Sequence, residues 1–201
     1  GLAGELSHGP HLPHRTRYIG PISRFVDVDR SIDLKRHRVV AVISGPEPQR
    51  TLFENRVTAQ LLGIDGEHLI VSGRPDAQRE QRMGNLHVVA HLNAEDLRDA
   101  LLGAELIVSR TGYTTLMDLH ALGRSALLVP TPGQSEQEYL GKLHARVGEH
   151  IVQPQDAIDI AGALRNPPQQ TTPQGNTNAL TEALTELAAL VRTRMPASLT
   201  G

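Results

Sequence analysis

The apolar positions of this chain fall into short runs separated by amphipathic stretches. Residues 39–44 begin VVAVI, a continuous, mostly β-branched run of the kind carried by a strand buried on both faces. Residues 68–72, 86–90, 105–109, 125–129 and 148–152 are further short apolar runs. Helical spacing fills the gaps: from Pro48 to about Gly63, then 94–102, 113–122, from Ser135 to Val147, and 156–164. A last amphipathic helix, 177–194, has Leu180, Leu184, Leu187 and Val191 on one face. Strands that alternate with helices form a parallel sheet covered on both sides, joined by right-handed crossovers. The expected fold class is α/β, a Rossmann-like three-layer α/β/α sandwich with a mainly parallel sheet. The charged stretches 26–38 and 76–85 read as exposed loops, 166–178 as a flexible loop, and 196–201 as a tail.

The stretch 104–139 concentrates the candidate chemistry. It reads as strand, tight turn, helix, strand, loop, helix. Its polar residues, 109–115 and 131–138, crowd at two strand ends, where the ligand crevice of an open parallel sheet lies. Gly112 lets backbone approach a ligand closely. Thr111, Thr114 and Thr115 bring hydroxyls to a helix N-terminus, where unpaired N–H groups favour an anion. Asp118, one turn on, is placed to accept hydrogen bonds from sugar hydroxyls. The same residues also fit a plain reading, in which the threonines cap the helix and Asp118 is an ordinary first-turn acid. A second strand–Gly–helix unit, Ser44-Gly45-Pro46, lacks the spacing of a Walker loop or a dinucleotide fingerprint, which argues against a dehydrogenase.

Composition narrows the class. A chain of 201 residues suits one domain, and an aromatic content of 2% means that Leu, Val, Ile and Ala must build the core. A formal net charge of -2 gives no support to nucleic-acid binding. The absence of cysteine excludes disulfides, thiolate zinc sites and thiol nucleophiles. No apolar run approaches the length of a membrane span. Residues 1–14, rich in Gly, Pro and His, read as a solvated linker. His8, His11 and His14 lack a helix to hold them together and a nearby acid to complete a metal set.

The pattern VSRTGYTTLMDLHALGRSALLVPTPGQSEQEY resembles the C-terminal domain of glycosyltransferase family 28. The carriers are Ser109, Arg110 and Gly112, then Asp118, Pro130, and Gln137-Glu138-Tyr139, with the resemblance running from about residue 18 to 152. It implies the C-terminal half of a GT-B fold, holding a nucleotide-sugar donor. The donor-binding residues implied are Arg24, Ser44, Gly45, His91, Leu92, Arg110, Thr111, Gly112, Tyr113, Thr114, Asp118, Gln134, Gln137 and Glu138. Of these, Arg24 follows the interdomain hinge and approaches the donor phosphates. Leu92, between His91 and Asn93, holds the base. Asp118 fixes the ribose, and Gln137 and Glu138 orient the sugar. Pro46 and Pro48 stiffen the loop after the first strand and reduce its N–H donors, which weakens the case for phosphate contact there.

The resemblance further implies transfer of a hexose, with N-acetylglucosamine on UDP favoured, by an inverting, metal-independent reaction. The UDP-sugar is substrate, and no cofactor and no metal are expected. Residues 1–17 read as a hinge or linker remnant and 18–195 as the nucleotide-sugar-binding domain. No catalytic residue is expected in this chain. The general base and the acceptor site are expected in an N-terminal domain, in cis or as a partner subunit. The location expected is cytoplasmic, compatible with peripheral contact at the inner face of a membrane. Two alternatives share the fold: a nucleotide-sugar hydrolase or 2-epimerase, with Glu136 or Glu138 near the sugar, and a non-catalytic nucleotide-sugar-binding subunit of a split transferase.

Overall fold

A computed structural model describes residues 1–8, 12–14, 16–25, 34–74, 80–173 and 178–194. His11, parts of the charged stretches at 26–38 and 76–85, part of the 166–178 loop and the tail lie outside these residues.

Seven strands form one sheet: β1 (His37–Val42), β2 (His68–Val71), β3 (Glu80–Met83), β4 (Leu86–Val89), β5 (Ala104–Ser109), β6 (Ala126–Leu128) and β7 (Ile151–Val152). Their spatial order is β3-β4-β2-β1-β5-β6-β7, with every pair parallel except β3 against β4. Without β3, the order is that of a doubly wound dinucleotide-type sheet, whose direction of winding reverses between β1 and β5. The loops after Val42 and Ser109 therefore flank the switch point, and the loop after Leu128 is next to it.

Alternation along the strands sorts the core into two layers. Val39, Ala41, Ile43, Leu106, Val108, Leu127 and Val129 face α1 (Gln49–Leu61) and α5 (Ile160–Arg165). Val40, Leu69, Val71, Ile107, Ala126 and Leu128 face α2 (Ala94–Gly103), α3 (Tyr113–Leu122) and α4 (Ser135–Val147). The three-layer sandwich expected from the pattern is what the chain forms. A sixth helix, α6 (Asn178–Arg194), is tied to the body by Arg17, which pairs with Glu182 at 3.1 Å and Glu186 at 2.6 Å.

Three local expectations are corrected. The charged 76–85 stretch contains β3, an edge strand joined to β4 through Gly84 at φ 59°. Its exposed Glu80 and Arg82 suit an edge that must not pair further. The helix expected over 156–164 is split into a 3-10 turn (Gln155–Ala157) and α5, because Asp159 turns out of the helix and caps it through the Gly162 N–H at 2.8 Å. Residues 1–8, expected as solvated linker, form a 3-10 turn (Gly4–Leu6) laid along α4, where Ala3 is buried and Leu2 O accepts from His144 Nε2 at 3.0 Å.

Candidate donor site

The C-terminal rim of the sheet carries the starts of α1, α2, α3 and α4, and they differ in how their N–H groups are satisfied. The start of α2 is capped by Asn93, whose side chain accepts from the Asp96 N–H at 2.8 Å. At α1, Glu47 accepts from the Thr51 N–H at 3.2 Å and hydroxyl at 2.9 Å and pairs with Arg50. The Thr51 hydroxyl, ahead of Arg50, holds the Glu47 carboxyl below the usual range. The helix after the Ser44-Gly45-Pro46 loop thus already carries an anion of its own. By contrast, α3 starts at Gly112 and α4 at Gln134 with no side-chain cap among the described residues. Both first turns present N–H donors at the tips of β5 and β6.

Gly112 adopts φ -73°, ordinary extended backbone, so conformation does not demand a glycine there. A Cβ at this position would meet only Thr115 Oγ1, at 3.8 Å, in otherwise open space. The missing side chain leaves room for close approach to the backbone at the start of α3. Tyr113 is half-buried and Thr114 exposed beside it.

The loop after β6 is knitted by residues expected to touch the sugar. Gln137 Oε1 accepts from the Thr131 N–H at 3.0 Å, and Gln137 Nε2 donates to Gln134 Oε1 at 2.6 Å. Glu138 Oε1 accepts from the Gly133 N–H at 2.9 Å, and Thr111 Oγ1 donates to Gln137 O at 2.9 Å. Gln134 and Gln137 are half-buried and Glu138 exposed, so all three keep surface at the rim; Thr111 is fully buried and acts through the loop. Glu138 also borders a groove of about 500 Å³ with Pro130, Lys142 and Asp156.

Two expected donor contacts are placed differently. Arg110 has no exposed surface. Its guanidinium donates to Gln49 O at 2.8 Å, Gln155 Oε1 at 2.6 Å, and Val129 O and Pro130 O at 3.3 Å each, and it stacks 4.1 Å over the Phe53 ring. Burial pushes its pKa down to about 10, still charged at neutral pH. It braces the rim from beneath and, so placed, does not reach a donor phosphate. Asp118 is also buried, and its carboxylate accepts from Ser23 Oγ at 2.7 Å and from Arg24. Arg24 and Asp118, expected to touch separate parts of the donor, hold one another, because the segment before β1 lies across α3 with opposite charges in register.

Ser44 is half-buried and Gly45, at φ 105°, is exposed. Gly45 lies over Thr131: a Cβ on it would be 3.7 Å from Thr131 Oγ1. That hydroxyl is buried and has no hydrogen-bond partner among the described residues. Thr131 falls in the polar stretch 131–138 but was not among the expected donor-binding residues; its position between two prolines did not single it out. His91 is exposed and Leu92 half-buried against the second core layer, where it lines a groove beside α2 with Val89 and Asp96.

A cluster of His144, Glu149 and His150 brings ligand-type atoms within 4.8 Å of one another. It lies at the far end of α4 from the rim. His150 Nδ1 accepts the Ala126 N–H at 3.1 Å and His144 Nε2 donates to Leu2 O, so His150 carries its proton on Nε2, the nitrogen that would have to bind a metal. No ion site is built there.

The family model described as "Glycosyltransferase family 28 C-terminal domain" matches residues 49–167, the span from the start of α1 past α5. The chain belongs to this family. Among its relatives is a UDP-N-acetylglucosamine–N-acetylmuramyl-(pentapeptide) pyrophosphoryl-undecaprenol N-acetylglucosamine transferase of Methylorubrum extorquens, 30% identical over 141 residues, covering 62% of this chain and 38% of the relative. The enzyme of the same name from Rhodopseudomonas palustris is 38% identical over 98 residues, or 42% of this chain and 27% of the relative. The family domain thus spans well under half the length of these relatives. In fold it is similar to the glycosyltransferase VinC in complex with DTDP (TM-score 0.54, 14% identity, 90% of this chain and 50% of that one). It is also similar to the glycosyltransferase SnogD of Streptomyces nogalater (TM-score 0.50, 16% identity, 88% and 45%). The GT-B half expected from the sequence is therefore the fold of this family 28 domain. No helix among the described residues is long and apolar enough to cross a membrane.

Proposed function

We propose that this domain binds the UDP-N-acetylglucosamine donor of an inverting, metal-independent hexosyltransferase. The observation that carries the reading is the contrast among helix starts. Those of α1 and α2 are capped by the chain itself, whereas those of α3 and α4, at adjacent strand tips, offer their donors outward. A nucleotide-sugar bond breaks as negative charge develops on the leaving diphosphate, and fixed N–H donors and helix dipoles stabilise such charge without reorganising. Gln137 and Glu138, held in place by the β6–α4 loop, are the groups assigned to the hexose.

Metal independence is carried over from the resemblance to family 28, and the state of two rim acids agrees with it. Asp118 is taken by Ser23 and Arg24 and Glu47 by Thr51 and Arg50, so two of the rim acids are already engaged within the chain. The donor identity draws on the printed names of the relatives. The general base and the acceptor site are assigned to an N-terminal domain, in cis or in trans, and the acceptor to the pyrophosphoryl-undecaprenol class that those names print; the place proposed is the cytoplasm, at the inner face of a membrane. The domain alone binds donor and transfers nothing.

Calorimetric titration with UDP-N-acetylglucosamine, and with TDP- and GDP-sugars for comparison, tests this. Saturable binding that prefers the UDP sugar and is unchanged by EDTA is expected. Absence of binding to every nucleotide sugar would overturn the reading.

A further inference from the structure

The loop from β1 to α1 flanks the switch point, yet the helix start it leads into is finished differently from those of α3 and α4. Pro46 and Pro48 have no N–H to offer. The Arg50 N–H is given to Pro46 O at 3.0 Å and the Thr51 N–H to Glu47 Oε2 at 3.2 Å. Glu47 Oε1 takes the Thr51 hydroxyl at 2.9 Å, pairs with Arg50, and lies 3.9 Å from Arg74 Nη2.

The two guanidiniums have anchors other than Glu47. Arg50 Nη1 donates to Ser72 O at 3.2 Å, just past the end of β2, and its side chain is only 14% exposed. Arg74 Nη2 lies 3.6 Å from Glu54 and donates to Thr51 Oγ1 at 3.4 Å. Glu54 is itself held by Ser72 Oγ at 3.0 Å. The loose member is Glu47, whose side chain is half-exposed on the loop. Two anchored cations and a helix start thus converge on one surface carboxylate. The same groups would attract a phosphate, and the carboxylate among them repels it.

We infer that Glu47 is a specificity residue, a built-in anion that shuts the start of α1 to phosphate and leaves a diphosphate to the starts of α3 and α4. Two helix starts that flank one switch point compete for the same polyanion. Here one of them is already neutralised, so a diphosphate displaced toward β1 meets a negative charge and spent donors. What is steered in this way rests on the sugar-transfer reading above; the closure of the α1 start does not.

The full chain, Glu47→Ala and Glu47→Ala/Arg74→Gln are unfolded thermally in sodium chloride and in inorganic phosphate at equal ionic strength. In chloride, Glu47→Ala should melt about 2–4 °C below the wild type, the size of a lost helix cap in a chain of this length. Phosphate should return that shift in Glu47→Ala, beyond any effect it has on the wild type, and return less in the double variant. Calorimetric titration should show inorganic phosphate bound about five-fold or more tighter by Glu47→Ala than by the wild type. Glu47→Gln, which keeps an acceptor for Thr51 and removes the charge, should fall between the two and serves if the alanine variant does not fold. Equal phosphate affinity in the wild type and in the Glu47 variants overturns the inference. The phosphate arm needs no nucleotide: failure of every protein to bind UDP sugars removes the nucleotide reading, and the difference in phosphate affinity still decides the role of Glu47.

Discussion

Arg24 and Asp118 are locked to each other: Nε and Nη2 of the guanidinium each lie 3.0 Å from the same carboxylate oxygen, Oδ2, while Ser23 takes the other. The contact fastens the segment before β1 to the middle of α3. The carboxylate side chain is 5% exposed and the arginine 51%. Removing the acid takes one acceptor from the buried Ser23 hydroxyl and leaves the arginine to solvent. Asp118→Ala should therefore destabilise the domain by about 1–3 kcal/mol, and Arg24→Gln by less, as read from urea midpoints. A variant of unchanged stability that has lost UDP affinity would instead make Asp118 a ribose ligand first and a strut second.

Arg110 should behave as a structural cation. Arg110→Ala is expected to cost about 3–5 kcal/mol, because four acceptors and the face of Phe53 lose their partner together. Arg110→Lys should recover only part of this, since an ammonium cannot span four acceptors in a plane. Urea unfolding checks both. Wild-type stability in the lysine variant would show that the arginine is not a brace.

Gly112→Ala separates fold from ligand. The added methyl enters open space beside Thr115, so the thermal midpoint should stay within about 2–4 °C of the wild type. Affinity for the UDP sugar should fall by about tenfold or more if the diphosphate is seated against this backbone. Equal affinity in the variant would remove the α3 start from the donor site.

Thr131→Val is an isosteric change that deletes the unpartnered hydroxyl beneath Gly45. Free of ligand, the domain should be unchanged or up to about 1–3 kcal/mol more stable, because a buried donor without a partner is lost. A concurrent fall in donor affinity would assign that hydroxyl to the ligand. A loss of stability would instead show that the hydroxyl is satisfied within the fold.

His150 makes the stability depend on pH. Burial, then the neighbouring His144 and His120, lowers its pKa from 6.5 to about 4. The unfolded chain therefore takes up a proton between those values that the folded chain refuses. The contribution is fully present above pH 6.5 and is lost as pH falls toward 4, for a total of about 3 kcal/mol. His37, lowered mainly by burial, acts in the same direction. Urea midpoints at pH 7 and pH 5 should show the loss, and His150→Gln should flatten the slope.

Much of the architecture was legible because fully buried strands leave unbroken β-branched runs. VVAVI announced β1, and the bounds of α3, from Tyr113 to Leu122, follow from its leucine spacing and the closing Gly123. β3 was missed because an exposed edge strand such as EQRM carries no apolar alternation; the Gly84-Asn85 pair before β4 was the available hairpin signal. In the site, side-chain type was a weaker guide than position. The stretch around Gly112 and Gln137 does gather at neighbouring strand tips. A sequence, however, cannot tell that Arg110 points inward or that Asp118 is claimed by Arg24, since both depend on segments 45 and 94 residues away. The docking of the N-terminal turn was hidden for the same reason: Gly4 looked like linker glycine until Tyr139 was set beside it.

The buried guanidinium of Arg110 fastens the start of α1, the end of β6 and the turn at Gln155 to the tip of β5. Loops that would otherwise have to be ordered by an arriving ligand are ordered when the chain folds. The entropy of arranging them is then not charged against the binding of any ligand that seats at this rim.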